Sequence, residues 1–338
     1  MRKRGKHAKE SKLKMNYKIL IILFFIVIII AIGIFVYTNI MKHKEEDNKQ
    51  DVESVEEASA EPVSNEEEMI IKETIDTNME QLINEIRTKN NLNENNFYFF
   101  YYNIEEKKYY FYNENIYFTA ASTIKVPVCM LYYDKIANGE LSLSDTLLYS
   151  KGDYEAGGGR TATDYSVGKK IPISYLIEQS IVNSDNTALN ILVNNIGYRK
   201  CKEELTKYTD IELPEKFYTS NIANVSYYYD ILQYLYQNTD KYSELISYMK
   251  KSSEGIYLKA NLPQYEVAHK YGSYDGYVHD YGIIYGKNTY LVGVFTKDIE
   301  DASDLIADIG KQVVECAETG EESVTTAEAN TVSDEETD

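Results

Sequence analysis

Three short runs in this 338-residue chain carry side chains suited to acid–base and nucleophilic chemistry. The first is Ser122-Thr123-Ile124-Lys125. A serine at a helix start lies at the positive end of the helix dipole. A lysine three residues later shares its face, close enough to exchange a proton with the hydroxyl. Partial burial would lower the lysine pKa and make the amine a usable base. As a string Ser-x-x-Lys is weak, since it recurs at Ser11/Lys14, Ser166/Lys169 and Ser247/Lys250, and a plain helix start would read the same way. Only the copy at Ser122 opens a strongly apolar stretch outside the basic N-terminus. The second run is Ser184-Asp185-Asn186, where a hydroxyl can relay a proton to a leaving amine and an amide can hold both a substrate carbonyl and a lysine. Ordinary helix capping uses the same three residue types. The third is His269-Lys270-Tyr271-Gly272, in which a cation on a strand can hold an anionic substrate and a glycine admits close backbone approach. A solvated lysine before a turn is the plain alternative.

The elements around these runs decide whether they can meet. Apolar spacing at Ile75, Met79, Leu82, Ile83 and Ile86 predicts a helix within 69–90. Aromatic runs at 96–102 and 107–112 predict a β-hairpin. Helices follow over 123–137, 171–181 and 186–195, with Ser184 at the break between the last two, and over 224–237. Three strands over 265–271, 277–285 and 289–296 and a helix over 302–316 close the pattern. Two strands, a helical middle, then three strands and a helix imply one antiparallel sheet with a helical lobe inserted. No internal repeat is visible.

Taken in order, Ser-x-x-Lys, Ser-Asp-Asn and Lys-x-Gly resemble the signature of the penicillin-recognising serine hydrolases, nearest to class A β-lactamases. The neighbouring residues agree: Ala120 to Pro127 resembles the nucleophile helix, Ile181 to Ala188 the second motif, and Val278 to Ile283 the strand after the third. The resemblance covers about residues 70–316. It implies an α/β sandwich of the β-lactamase/transpeptidase type, with a five-stranded antiparallel sheet, flanking helices and an all-helical lobe. It also implies that Ser122 is acylated, Lys125 serves as base or relay, and Ser184 protonates the leaving nitrogen. Asn186 and Lys270 would bind the substrate amide and carboxylate, with Gly272 admitting the substrate. The backbone N–H groups of Ser122 and Ser273 would form the oxyanion hole. No cofactor is expected, and four scattered histidines suggest no metal ligand set.

Two departures bear on turnover. The stretch between Ser184 and Lys270 is shorter than in class A β-lactamases, where a glutamate on a loop activates the deacylating water. Within Asp210 to Ser220 only Glu212 and Glu215 could serve as that base, and both also read as surface glutamates flanking Pro214. Tyr271 stands where the family has Thr or Ser, and a ring pointing into the site would crowd the substrate carboxylate. The leading expectation is a serine hydrolase acting on a β-lactam or a cell-wall peptide amide. The alternative is a catalytically retired, membrane-tethered module that holds wall peptides or a protein partner.

The rest of the chain sets the surroundings. Residues 1–18 hold eight basic residues against Glu10 and lead into an apolar run over 19–41. A hydrocarbon core about 30 Å thick needs roughly 20 helical residues, and no Ala-x-Ala site follows the run. The expectation is an uncleaved signal anchor, with a cytoplasmic basic flank and an extracytoplasmic domain. Residues 42–68 are an acidic, apolar-poor tether, residues 69–317 the folded domain, and residues 318–338 an acidic tail. The formal net charge of −19 disfavours nucleic acid as a partner. Cys129, Cys201 and Cys316 make no disulfide framework. The oligomeric state leaves no sequence signature.

Overall fold

The computed structural model describes residues 72–156, 159–252 and 256–319. The expected basic segment 1–18, anchor 19–41 and tether 42–68 lie outside the described residues, as does the tail from residue 320 onward. No helix among the described residues is long and apolar enough to cross a membrane.

Six strands form the main sheet: β1 (Thr74–Ile75), β2 (Phe97–Asn103), β3 (Lys108–Tyr112), β4 (Glu266–Tyr274), β5 (Tyr277–Tyr285) and β6 (Thr289–Lys297). Their order is β1-β3-β2-β6-β5-β4. The five expected strands pair antiparallel throughout. The sixth, β1, is a two-residue strand laid parallel on β3, which sequence periodicity folds into the following helix. That helix, α1 (Thr77–Lys89), starts later than expected because Asp76 caps it, accepting a bond from Met79 N at 3.0 Å.

β2 is buried along its whole length because both of its faces are covered. Phe97, Phe99 and Tyr101 pack on one side with Met79, Ile83, Ile306, Ile309 and Val313, under α1 and the C-terminal helix α8 (Ala302–Thr319). Tyr98, Phe100 and Tyr102 face the helical lobe. Alternate side chains of a strand point to opposite faces, so a central strand covered on both sides has no polar face to show. Gly293 of β6 has no side chain because the ring of Phe100 lies across it; a Cβ there would sit 2.1 Å from that ring. α8 runs to Thr319, so Glu318 belongs to the folded domain, accepting bonds from Tyr265 Oη and Lys287 N rather than opening the tail.

The lobe is built on α2 (Lys125–Ala137), whose residues from Lys125 to Asp134 are all buried. Around it lie α3 (Ile173–Val182), α4 (Asn186–Ile196), α5 (Tyr198–Glu204), α6 (Val225–Gln237) and α7 (Thr239–Lys250). α5 and α7 are absent from the expected pattern, because Lys and Tyr interrupt their apolar periodicity. Tyrosine supplies the large aromatic filling that the Trp-free chain needs. Tyr132, Tyr227, Tyr228, Tyr242 and Tyr281 are among the largest fully buried side chains. At the far end of α2, Asp134 accepts bonds from Tyr208 and Tyr242 and pairs with Lys207 and Lys241. Burial alone would raise its pKa, yet these four donors hold the carboxyl down at about 2.

Candidate active site

The turn that carries Ser122 is fixed from several directions. Ala121–Ile124 form one 3-10 turn that runs directly into α2. Ala120 N donates to Asn221 O at 2.9 Å, Asn221 Nδ2 donates to Ala121 O at 2.9 Å, and Tyr281 Oη donates to Thr123 O at 3.1 Å. Thr123 Oγ1 is bonded to Tyr228 Oη, and a nitrogen of His279 lies 2.8 Å from Thr119 O. Ala121 sits at φ 49°, a left-handed value that a residue with a Cβ adopts only when its surroundings enforce it. Ser122 itself is half-buried and faces the cavity.

The three sequence motifs come together here. Lys125 Nζ donates to Ser184 O at 2.6 Å, to Ser184 Oγ at 3.2 Å and to Asn186 Oδ1 at 2.7 Å. Lys270 Nζ donates to the same Ser184 Oγ at 3.1 Å and to Tyr271 O at 2.8 Å. Ser184 Oγ therefore stands between two amines, one from α2 and one from β4. Its backbone is left-handed at φ 52°, which turns the chain between α3 and α4 and aims the hydroxyl inward. Asp185 caps α4 through Ala188 N at 3.0 Å, while its neighbours Ser184 and Asn186 accept from Lys125. The other oxygen of Asp185 accepts from Thr161 N at 2.7 Å, tying Thr161 to the site.

Both amines are perturbed. Lys125 is 1% exposed, and burial pulls its pKa down to about 8 against the charges of Asp185 and Glu155. Lys270 is fully buried and lies well below the ordinary lysine range, through burial and the positive charge of Lys125. Two ammonium groups sharing one hydroxyl cannot both hold full charge cheaply, so one amine is available as a base near neutral pH. Lys125 makes its hydrogen bonds to Ser184 and Asn186 rather than to Ser122, so Ser184 is the side chain that links the amines.

A Cβ on Gly272 would lie 2.7 Å from Ser122 N and 3.0 Å from Thr123 N, so β4 and the turn that carries Ser122 touch backbone to backbone. Ser273 follows on β4 and lines the cavity. Tyr271 does not line it; its ring stacks on Tyr257 with centroids 5.0 Å apart, which removes the expected crowding of the site.

The cavity has a volume of about 470 Å³. The glutamates expected from sequence are not in it. Glu212 is exposed, and Glu215 is bound on the surface by Arg199 at 2.9 Å. The carboxylate in the cavity is instead Glu155, on the loop ahead of the second motif. It accepts from Asn186 Nδ2 at 3.1 Å and from Asn190 Nδ2 at 2.9 Å. Asn186 thus bridges Lys125 and Glu155. Sequence reasoning looked after the second motif and missed Glu155; the visible signal was the repeat of Asn186, Asn190 and Asn194 at four-residue spacing, one helix face lined with amides.

Comparison with known proteins gives a consistent outcome. The model of the β-lactamase enzyme family matches residues 78–317. A β-lactamase of Rhodobacter capsulatus is 38% identical over 84 residues, which is 25% of this chain and 28% of that protein's length. Among solved structures, a mutant of PBP-A, as an acyl-enzyme complex with penicillin G, has a TM-score of 0.64 at 21% identity. The alignment covers 73% of this chain and 98% of that one. A β-lactamase from Sphaerobacter thermophilus has a TM-score of 0.61 at 21% identity, covering 72% and 97%. At that identity the structural likeness establishes a shared fold.

Proposed function

Because the chain belongs to the β-lactamase enzyme family, we propose that it is a membrane-anchored, extracytoplasmic serine hydrolase that opens β-lactam or cell-wall peptide amide bonds through an acyl-Ser122 intermediate. The observation that carries this reading is the meeting of Lys125 and Lys270 at Ser184 Oγ, beside a Ser122 amide pressed against Gly272. The anchor rests on the apolar run 19–41 and its basic flank.

In this mechanism Ser122 Oγ attacks the carbonyl carbon and its proton passes to the neutral amine of Lys125, directly or through Ser184. The oxygen that gains charge is held by the N–H groups of Ser122 and Ser273, a type of contact whose loss costs about 100- to 1000-fold. Collapse breaks the C–N bond, and Ser184 Oγ–H gives its proton to the leaving nitrogen while an adjacent amine reprotonates Ser184. Asn186 orients the acyl-side amide. A substrate carboxylate arriving at Lys270 favours the charged form of that lysine, which leaves Lys125 as the neutral partner. Glu155, held by two amide donors, takes a proton from the water that attacks the acyl ester, and Ser122 Oγ regains a proton from Lys125 as the ester C–O bond breaks.

The test is intact-protein mass spectrometry of the full chain incubated with benzylpenicillin and followed in time. An adduct should form in the wild type and be absent in Ser122→Ala. In Glu155→Gln the adduct should form at a comparable rate and persist about 100-fold longer, the loss typical of a general base. Absence of any adduct on folded wild-type protein would return the chain to the retired-module alternative.

A further inference from the structure

The acylation chemistry leaves one buried side chain of the cavity without a task. Lys202, on α5, lines the same cavity as Ser122 and is 4% exposed. Its Nζ has no hydrogen-bond partner among the described residues and rests 3.9 Å from the ring centroid of Phe217. The ion pairs of α5 are made by Arg199 with Glu203 and Glu215, and by Glu204 with Lys200 and with Lys135 of α2. None reaches Lys202. Burial draws its pKa down to about 8, with only Cys201 opposing. Buried amines are normally paired, and a contact with an aromatic face offsets only part of the lost hydration. A lone buried ammonium destabilises the empty fold, a cost that a ligand in the adjoining cavity bearing the missing counter-charge would relieve.

The path between the nucleophile and Lys202 is walled by α4, with Asn186, Asn190 and Asn194 on one face and Leu189 and Val193 beside them. The helix rises about 12 Å over that stretch, enough for one extended side chain or a second residue of a substrate. We propose that Lys202 is an anion subsite that receives a carboxylate on the acyl-donor side of the substrate. Asn190 and Asn194 line the way with amide groups. The flexible lysine stem lets the ammonium turn from Phe217 into the cavity. The inference rests on the acyl-Ser122 reading and narrows it: the substrate is an acidic acyl donor, with one carboxylate for Lys202 besides any bound by Lys270.

Two penicillins differing by one group test this on the full chain. Carbenicillin carries a carboxylate on the acyl side chain that benzylpenicillin lacks. The rates of Ser122 acylation by each are measured by intact mass in the wild type, Lys202→Met and Lys202→Arg. In Lys202→Met the carbenicillin-to-benzylpenicillin rate ratio should fall about tenfold or more, the equivalent of about 1.4 kcal/mol. Benzylpenicillin itself should change less than about threefold, and Lys202→Arg should keep most of the ratio. Met matches the volume of the lysine stem, so its melting temperature should equal or exceed that of the wild type. An unchanged ratio in a folded Lys202→Met protein overturns the subsite. Should neither penicillin acylate Ser122, the acyl-enzyme reading fails by itself, and thermal shift then decides the subsite. A larger shift with carbenicillin than with benzylpenicillin, lost in Lys202→Met, upholds it; equal shifts overturn it.

Discussion

Replacing Gly272 with alanine probes the contact on which the proposed acylation of Ser122 depends. The added Cβ would stand 2.7 Å from Ser122 N, whereas ordinary contact begins at 3.4 Å, so something must move by about 0.7 Å. The obstructing atoms are backbone, at Ser122 N and Thr123 N, and the turn that carries them is tied by Asn221, Tyr281 and His279. The strain therefore falls on the Ser122 N–H, one of the two proposed oxyanion donors. Overpacking of this kind costs about 1–3 kcal/mol, which for a domain of this size lowers Tm by about 2–4 °C per kcal/mol. A misplacement near 1 Å in a positioned site costs about 100-fold in rate, or about 2.7 kcal/mol of barrier. The second-order rate constant for benzylpenicillin acylation, read by intact mass, should fall by about that factor in Gly272→Ala. Gly152→Ala serves as control, since a Cβ there meets nothing within 4 Å. Acylation within about threefold of wild type, with Tm unmoved, would refute the argument that strand and nucleophile touch backbone to backbone.

Two further outcomes follow from the charged groups. If neutral Lys125 is the base, the acylation rate should climb about tenfold per pH unit and level off above about pH 8, because its folded pKa lies there. A rate flat between pH 6 and 8 would assign the proton to another group. Asp134→Ala should destabilise by about 3–5 kcal/mol, since it strips a buried carboxylate from two tyrosines and two lysines. Its acylation rate, measured on folded protein, should stay near that of the wild type. The folded pKa of Asp134 is depressed, so its contribution is present above the unfolded value of 3.8 and disappears as pH falls toward 2. Urea denaturation of both proteins across that range checks the sign.

What could be read from sequence, and what could not, divides along physical lines. Ser122, Lys125, Ser184, Asn186, Lys270 and Gly272 were legible because each sits where an element begins, breaks or pairs, and punctuation of that kind is local. The five antiparallel strands were legible from aromatic and β-branched runs. Glu155 was not, because its backbone is held by the hydroxyl of Thr187, a contact between residues 32 apart that leaves no periodic trace. Lys202 lies in a charged run, Tyr198 to Glu204, with no apolar periodicity to mark it, and only the packing of α5 against Phe217 buries it. α7 escaped notice because Tyr and Lys dilute its apolar face and Tyr242 breaks its helical geometry.

The position of β2 also governs the order in which this molecule can be made. The strand is translated early, yet its partner on one side, β6, emerges only near the end of the domain, in a register that sets Phe97 against Thr296. Until β6 arrives, a strand of aromatic residues offers an open edge, and unpaired edges of that composition are templates for self-association. Pairing of such sequence-distant strands is slow. Lys270 and Gly272 lie on the late-arriving side of the sheet as well, so a chain cut short before β4 holds the serine and its first lysine with nothing to assemble them against. Assembly of the candidate site thereby waits on closure of the sheet, and a folding helper that shields the β2–β3 hairpin should raise the yield of folded protein without touching that site.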